Sequence, residues 1–393
     1  MSSREAIPIP DGSARVLTLA ELRALPEWPE AFQARVKDHR FYEIVEETIR
    51  GGFEHHYLVF EDRTGKARGV QPVFFVQQNL VEGIPALRAA VDFVRRKFPR
   101  FLTMRVLMVG CAAGEGHLGV CEIGDEEWFA IALFAALEVY GRRGQAALVV
   151  FKDFSARYRE ILERFTANGY TRIPSMPMTQ LALPYRSFDE YLSTLGKATR
   201  KSLRRKFRRT AAGRPLQLEI LNDVTPFVDE LYPLYLQVHG RSSLKFETLT
   251  KDYFRELGKR MPERTRFFVW RQEGRAVAFS LCLVHDETLY DDYLGLDYEV
   301  ALDLHLYFQS FRDIIEWSLA AGIKKYCSSP LNYEPKLHLG CDLYPLDLYV
   351  RATSKFLNAI FPPILKMLEP TRHDPILRQF SNHSDLYGER GDR

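Results

Sequence analysis

Cysteine is scarce and dispersed in this chain. Its 393 residues hold five, Cys111, Cys121, Cys282, Cys327 and Cys341, without a CxxC pair or a ligand-like spacing. That pattern excludes a disulfide scaffold and a structural zinc site and points to a reducing compartment. Net charge is also small, because 54 Lys and Arg against 51 Asp and Glu leave only +3, so the chain as a whole is no polybasic nucleic-acid binder and DNA is not an expected partner. Apolar runs such as Trp128–Leu137 fall short of the roughly 20 residues of a spanning helix. No transmembrane segment is expected, while peripheral contact with a membrane stays open. The start, MSSREAIPIPDGSARV, has neither a long apolar stretch nor a cleavage-like site, so no signal peptide is expected and a soluble cytoplasmic protein follows. His55, His56 and His117 lack further ligands at useful spacing, so no metal is expected. No cysteine has a nearby His and carboxylate in a nucleophile-like arrangement.

What is present is a globular composition, 46% apolar and 27% charged, which excludes a largely disordered chain. The length predicts two domains of about 150 to 200 residues each. In the first half, residues 19–50 read as one or two short helices, 56–61 and 68–78 as strands joined at the polar turn Asp62–Lys66, and 84–98 as a helix. Strand 101–110 runs into the loop CAAGEGHLG; helix 126–142, strand 146–154 and helix 155–168 follow. In the second half, 217–221 is a strand and 224–239 and 248–261 are helices. Three strands, 267–271, 276–284 and 288–294, form an antiparallel meander with short turns at Glu273-Gly274 and Asp286-Glu287. A helix at 303–320, a strand in KKYCSS and a late strand at 343–352 complete it. The double proline in FLNAIFPPILKML is expected to break any continuous helix.

Two copies of a meander, helix, strand, helix, strand layout resemble the GNAT acyltransferase superfamily, and more narrowly its double-domain FemABX-like and BioF2-like branch. The stretch FDEYLSTLGKATRKSLRRKFRR, 188–209, is similar to that branch's arginine-rich helix, and YLGLDYEVALDLHLYFQSFRDIIEWSLAAGIKKYCSS with LNYEPKLHLG is similar to its strand, broken turn, long helix, buried strand and Lys-containing element. The resemblance implies an α/β fold of mixed α+β layers: two tandem GNAT-like acyltransferase domains, each a mixed, largely antiparallel sheet flanked by helices. The expected division is residues 1–185, 186–355 led by the basic helix, and a tail, 356–393, packing on a lobe. The glycine-rich Q/R-x-x-G-x-G/A turn of a simple GNAT domain is replaced by YEVALDLH in the second lobe; the first has Gly110-Cys-Ala-Ala-Gly114-Glu-Gly116-His117.

Acyl transfer to an amine needs a neutral amine, a polarised carbonyl and a seat for the donor, and no covalent nucleophile. Strand alternation sends Asp291 and Tyr293 to one face and Asp292 to the other. Asp292 is taken to bind the acceptor ammonium or remove its proton, against the plainer reading of an edge-strand charge. Asp303 and His305 fall at the start of the long helix, where free amides receive phosphate or carboxylate and His305 is a candidate base; Asp303 as a simple cap and His305 packed beside Tyr307 is the alternative. Asn332, Tyr333 and Lys336 form a dense polar cluster in a shaped loop. Tyr333 is a candidate proton donor and Lys336 a candidate anion ligand, against turn architecture and ordinary surface charge. Lys197, Lys201, Arg204 and Arg208 share one side of a helix, widened by Arg205 and Arg209, and call for an anionic partner unless the helix is simply solvated.

The expected function is N-acyl transfer by direct attack on acyl-CoA, a cosubstrate rather than a tightly bound cofactor, with a small-molecule or conjugated amine as acceptor. A charged tRNA as donor to a small-molecule or peptidoglycan-like amine is the second reading, and a non-catalytic binding or scaffold protein the third.

Overall fold

The computed structural model describes residues 6–49, 51–79, 91–98, 103–242 and 245–388. The chain forms two compact units, Met1–Met176 with Pro345–Asp374, and Pro177–Tyr344 with Pro375–Arg393. The division therefore falls at 176/177 rather than 185/186, and residues 345–374 return to the first unit. The physical reason is strand pairing. The late strand expected at 343–352 is two strands, and the longer one completes the first sheet.

In chain order the strands are β1 (Ile7–Ile9), β2 (Gly12–Leu17), β3 (Phe53–Asp62), β4 (Ala67–Asn79), β5 (Thr103–Val109), β6 (Leu148–Ser155), β7 (Thr171–Pro174), β8 (Met178–Ala182), β9 (Leu216–Leu221), β10 (Thr265–Gln272), β11 (Arg275–His285), β12 (Thr288–Leu296), β13 (Lys325–Ser328), β14 (Asp342–Tyr344) and β15 (Leu346–Ala352). Among the described residues the first sheet runs β1-β2-β3-β4-β5-β6-β15-β7 and the second β14-β8-β13-β12-β11-β10-β9. All neighbours are antiparallel except one pair in each sheet, β5 with β6 and β12 with β13. Each parallel step needs a crossover, and a helix supplies it: Glu126–Arg143 in the first unit and Leu306–Ala320 in the second. Both sheets are thus mixed, largely antiparallel and flanked by helices, as expected.

Turn chemistry places the meanders. Asp62 Oδ1 accepts from the backbone N–H of Thr64 at 2.8 Å and Lys66 at 3.2 Å, closing the β3–β4 hairpin. In the second unit Glu273-Gly274 and Asp286-Glu287 both have paired positive φ, the combination that matches the twist of antiparallel strands. Phe129, Leu133 and Leu137 of one crossover helix are buried in the first core, and Phe311, Ile314 and Ile315 of the other in the second.

Several elements differ from expectation. The N-terminal helical region is three short helices, Leu19–Leu22, Glu27–Phe32 and His39–Thr48. The helix expected over 84–98 lies largely outside the described residues, which are helical over 91–95. The basic segment 188–209 is two helices, Phe188–Thr194 and Lys197–Ala211, separated at Leu195-Gly196. Lys355–Met367 is one helix that runs through Pro362 and Pro363. Adjacent prolines remove only two N–H donors, and anchoring of the helix by buried Phe361 offsets the cost that local propensity suggests.

Candidate active site

The two parallel strand pairs end differently. In the first unit β5 pairs β6 from Val106↔Leu148 to Val109↔Phe151, and the following loop re-enters the gap. Gly116 bridges Phe154 in parallel, its N–H donating to Asp153 O at 3.0 Å. Beneath that loop Lys37 Nζ meets Glu115 Oε2 at 2.8 Å, with both side chains buried, and Glu115 lies 3.5 Å from His117 Nε2. The opening between the strands is filled by the unit's own residues.

In the second unit β12 pairs β13 from Thr288↔Lys325 to Asp291↔Ser328, and one further bond joins Ser329 N to Asp291 O at 3.1 Å. Beyond this point β12 continues to Leu296 against β11 alone. β13 has left, through Leu331 and Asn332 with positive φ, into the short helix Tyr333–His338. A strand edge is therefore freed beside the start of the crossover helix.

A polar cluster sits where the strands part. Tyr326 OH donates to Asp291 Oδ2 at 2.8 Å, and Ser280 Oγ donates to Asp291 Oδ1. Burial raises the Asp291 carboxyl above its ordinary value, opposed by the hydrogen bonds from Ser280 and Tyr326 and by the charge of Lys336. Lys336, 7% exposed, donates to Ser329 O; burial pushes its ammonium down to about 8, with Cys341 and Asp291 pulling upward. Burial also raises the Tyr307 phenol, which is hydrogen-bonded to Asn332. The nearby thiols are poor nucleophiles: burial holds Cys282 well above its ordinary value and pushes Cys341 up to about 12.

Alternation fails at this strand. Leu281 pairs with Tyr293 but Cys282 with Asp291, so Asp292 is the extra residue of a bulge. Asp291 then faces Ser280 and Tyr326, whereas Tyr293 donates to Glu247 Oε1 at 2.8 Å and meets Tyr235 and Tyr253. The two residues expected on one face make separate sets of contacts, and Asp292 between them is 8% exposed.

The crossover helix begins at Leu306, three residues later than expected. His305 is its N-cap in left-handed geometry (φ 48°, ψ 40°), without a side-chain cap bond, and Asp303 is exposed. Among the described residues His305 Nε2 is buried without a hydrogen-bond partner. Burial first, then Lys206, Arg209 and Arg205, lower its pKa, so it stays neutral at pH 7. Lys206 Nζ lies 3.4 Å from the centroid of the Phe308 ring, and Thr210 Oγ1 donates to Leu304 O at 2.8 Å, fixing the basic helix against the start of the crossover helix. One flank of the basic helix thus puts cations beside the start of the crossover helix, where the Leu306 and Phe308 amides already donate to Ala301 O and His305 O at 3.0 Å each.

The opposite flank lines a groove of about 1020 Å³ with Lys197, Lys201, Arg204 and Arg208, joined by Arg200 and Arg312. Among the described residues none of those first four forms an ion pair with a carboxylate. The four residues sharing one side of the helix do meet in one groove.

The residues singled out in the sequence therefore fall into three groups. Lys336 and Asn332 gather with Asp291. His305 stands with Lys206, Arg205 and Arg209, and the groove cations lie on the other flank. Tyr333 is not drawn into the polar cluster through its hydroxyl, which donates to Pro177 O at 2.8 Å. Asp291, Ser280, Tyr326 and Tyr307 went unmarked as site residues. Their signal would have been a polar residue recurring in each of four apolar segments, visible only once the bulge brings them to one point.

Residues 155–328 match a FemAB-like family model, described as peptidoglycan biosynthesis/recognition. No curated protein matches the chain. Among solved structures the chain is similar to L-PGS from Bacillus licheniformis, at 13% identity over 85% of this chain and 97% of that one, TM-score 0.48. It is also similar to FemX, at 12% over 90% and 100%, TM-score 0.48. A tandem GNAT protein from the clavulanic acid biosynthesis pathway shares 11% over 87% and 99%, TM-score 0.47. The two mixed sheets, each flanked by helices and each with one parallel pair bridged by a helix, have the layout of tandem GNAT-like domains.

Proposed function

We propose that the chain is an N-acyltransferase whose second unit transfers an acyl group from acyl-CoA to an amine by direct attack. The observation that carries this reading is the freed edge of β12 beside buried Asp291, Tyr326 and Lys336, next to a helix start without a side-chain cap and flanked by Arg205, Lys206 and Arg209. The same position in the first unit is filled by its own loop.

Donor phosphates fit the start of the crossover helix, where Arg205, Lys206 and Arg209 offer charge stabilisation. The acyl carbonyl then lies along the freed β12 edge, whose N–H groups stabilise the developing oxyanion. The amine nitrogen attacks the carbonyl carbon, the C–N bond forms, and the C–S bond breaks as the tetrahedral intermediate collapses. Asp291, with its raised affinity for protons, takes the amine proton, and Lys336 returns a proton to the leaving thiolate. Asp292 is assigned to hold the acceptor's ammonium before deprotonation. His305, neutral and beside the phosphate seat, is the alternative base, and Asp303 sits exposed at the rim. Tyr333 is a positioning residue that ties the Lys336 helix to Pro177. High thiol pKa values favour direct attack over an acyl-cysteine intermediate.

A second reading has a charged tRNA as donor, favoured by the groove cations Lys197, Lys201, Arg204 and Arg208 and by the peptidoglycan-related description of the matching family model. Native mass spectrometry with parallel titrations separates the two. Retention of one coenzyme A, lost in Lys206→Ala, is the expected result. Binding of charged tRNA without coenzyme A would make the aminoacyl donor the correct one, and binding of neither would leave the scaffold reading.

A further inference from the structure

The first unit carries a feature that acyl transfer does not use. The helix Lys355–Met367 follows β15 and is anchored on one side by buried Phe361 and by Asn358, whose Oδ1 accepts from Ala352 N at 2.9 Å and whose Nδ2 donates to Gly169 O at 2.9 Å. Its other side is apolar too. Phe356 is 74% exposed, Ile360 43%, Ile364 40% and Met367 61%, at spacings of four, four and three that make one stripe. An apolar stripe on the side away from the core is normally covered as well.

Charge indicates what covers it. The thirteen residues contain no Asp or Glu, and the two charged side chains, Lys355 and Lys366, are cationic and exposed. Lys355 occupies the first turn, where a cation opposes the helix dipole, so its position is better explained by an external anion than by helix stability. A second copy of the helix would bring like charges together. The same unit exposes Phe93 and Phe98 at 71% and 66% in a segment that also holds Arg95, Arg96 and Lys97, a repeat of the aromatic-plus-basic composition. Among the described residues no helix is long and apolar enough to cross a membrane. This one, about 20 Å long, is short of the roughly 30 Å hydrocarbon core.

We infer that Lys355–Met367 lies in the surface of an anionic bilayer, with Phe356, Ile360, Ile364 and Met367 among the upper acyl chains and Lys355 and Lys366 at the lipid phosphates. The helix tethers the enzyme to a membrane without spanning it. Cosedimentation of the full chain with phosphatidylcholine vesicles, with and without phosphatidylglycerol, tests this. Wild type is expected to pellet with the phosphatidylglycerol vesicles. Phe356→Ser/Ile360→Ser/Ile364→Ser should weaken binding at least about tenfold, and Lys355→Gln/Lys366→Gln should weaken it by roughly tenfold at low salt and less at high salt. The thermal transition of both variants should match wild type, since the replaced side chains are exposed. Failure of wild type to pellet, or equal pelleting of wild type and the serine variant, overturns the proposal. So does light scattering that finds a dimer in wild type and a monomer in the serine variant, because a second copy would then be the occupant.

Discussion

Lys336 is the residue whose environment departs most usefully from water. A lysine that titrates near 8 when folded and near 10.4 when unfolded holds fewer protons folded over that interval. Stability therefore rises as pH climbs from about 8 to about 10.4, and is lowest where both states are protonated. Denaturant melts at pH 7 and 9.5 should show wild type gaining about 2 kcal/mol relative to Lys336→Met, which lacks the titrating group. The rate profile should carry a limb near pH 8 that Lys336→Met abolishes. Asp291 has the opposite chemistry. Its raised carboxyl should set an acid limb above the ordinary carboxylate range, and Asp291→Asn should lower kcat by about 10²- to 10⁴-fold with the circular dichroism spectrum unchanged. Only Lys336 of these two was marked in the sequence, because alternation put Asp291 and Asp292 on opposite faces and the apolar neighbours Leu289 and Leu294 did not tell which face meets the cleft.

At the scale of elements, the site depends on how closely helix Val228–Arg241 approaches β12. A Cβ on Gly295 would fall 2.2 Å from the Phe279 ring and 2.9 Å from the backbone nitrogen of Tyr235. Gly295→Ala is therefore expected to destabilise the protein by about 1–3 kcal/mol, measured by urea unfolding. The basic helix obeys a different rule. Its inner side is held by buried Leu203 and Thr210, while Lys201, Arg204 and Arg208 face a groove that Asp189 and Glu316 also line, without forming an ion pair among the described residues. Replacing these three with Gln should shift stability by less than about 0.5 kcal/mol, yet weaken retention on heparin and flatten its salt dependence. The helix, its basic stripe and the following meander were legible from spacing and turn residues. The break at Leu195-Gly196 and the continuity through Pro362-Pro363 were not, since both are set by what each segment packs on.

At the scale of the molecule, the chain interleaves its two units. β15, near the end of the sequence, pairs with both β6 and β7 inside the first sheet. Its buried Asp347 accepts from Arg159 Nε at 2.6 Å and Arg172 Nη1 at 2.9 Å. The first unit cannot close its sheet until residues 346–352 have been made. A chain stopped after Tyr344 is expected to leave β7 unpaired, one edge of β6 open, and Arg159 and Arg172 without their carboxylate, so limited proteolysis should degrade the first unit. Survival of a protected N-terminal fragment would show that β15 is dispensable. Such long-range pairing also predicts slow refolding.

Two mixed, largely antiparallel sheets were what the resemblance to tandem GNAT-like domains implied, and the sequence by itself determined the turns of both meanders and the helix that gathers the groove cations. These follow from periodicity, glycine and Asp turn chemistry and charge spacing, which act over a few residues. Tertiary structure alone decided that β15 belongs to the first sheet, that a bulge at Asp292 separates Asp291 from Tyr293, and that Gly116 bridges Phe154 past the end of one parallel pair whereas β13 leaves β12 after Ser329 in the other. Those outcomes depend on strand partners far apart in the chain and on a one-residue register shift, neither of which leaves a local signal.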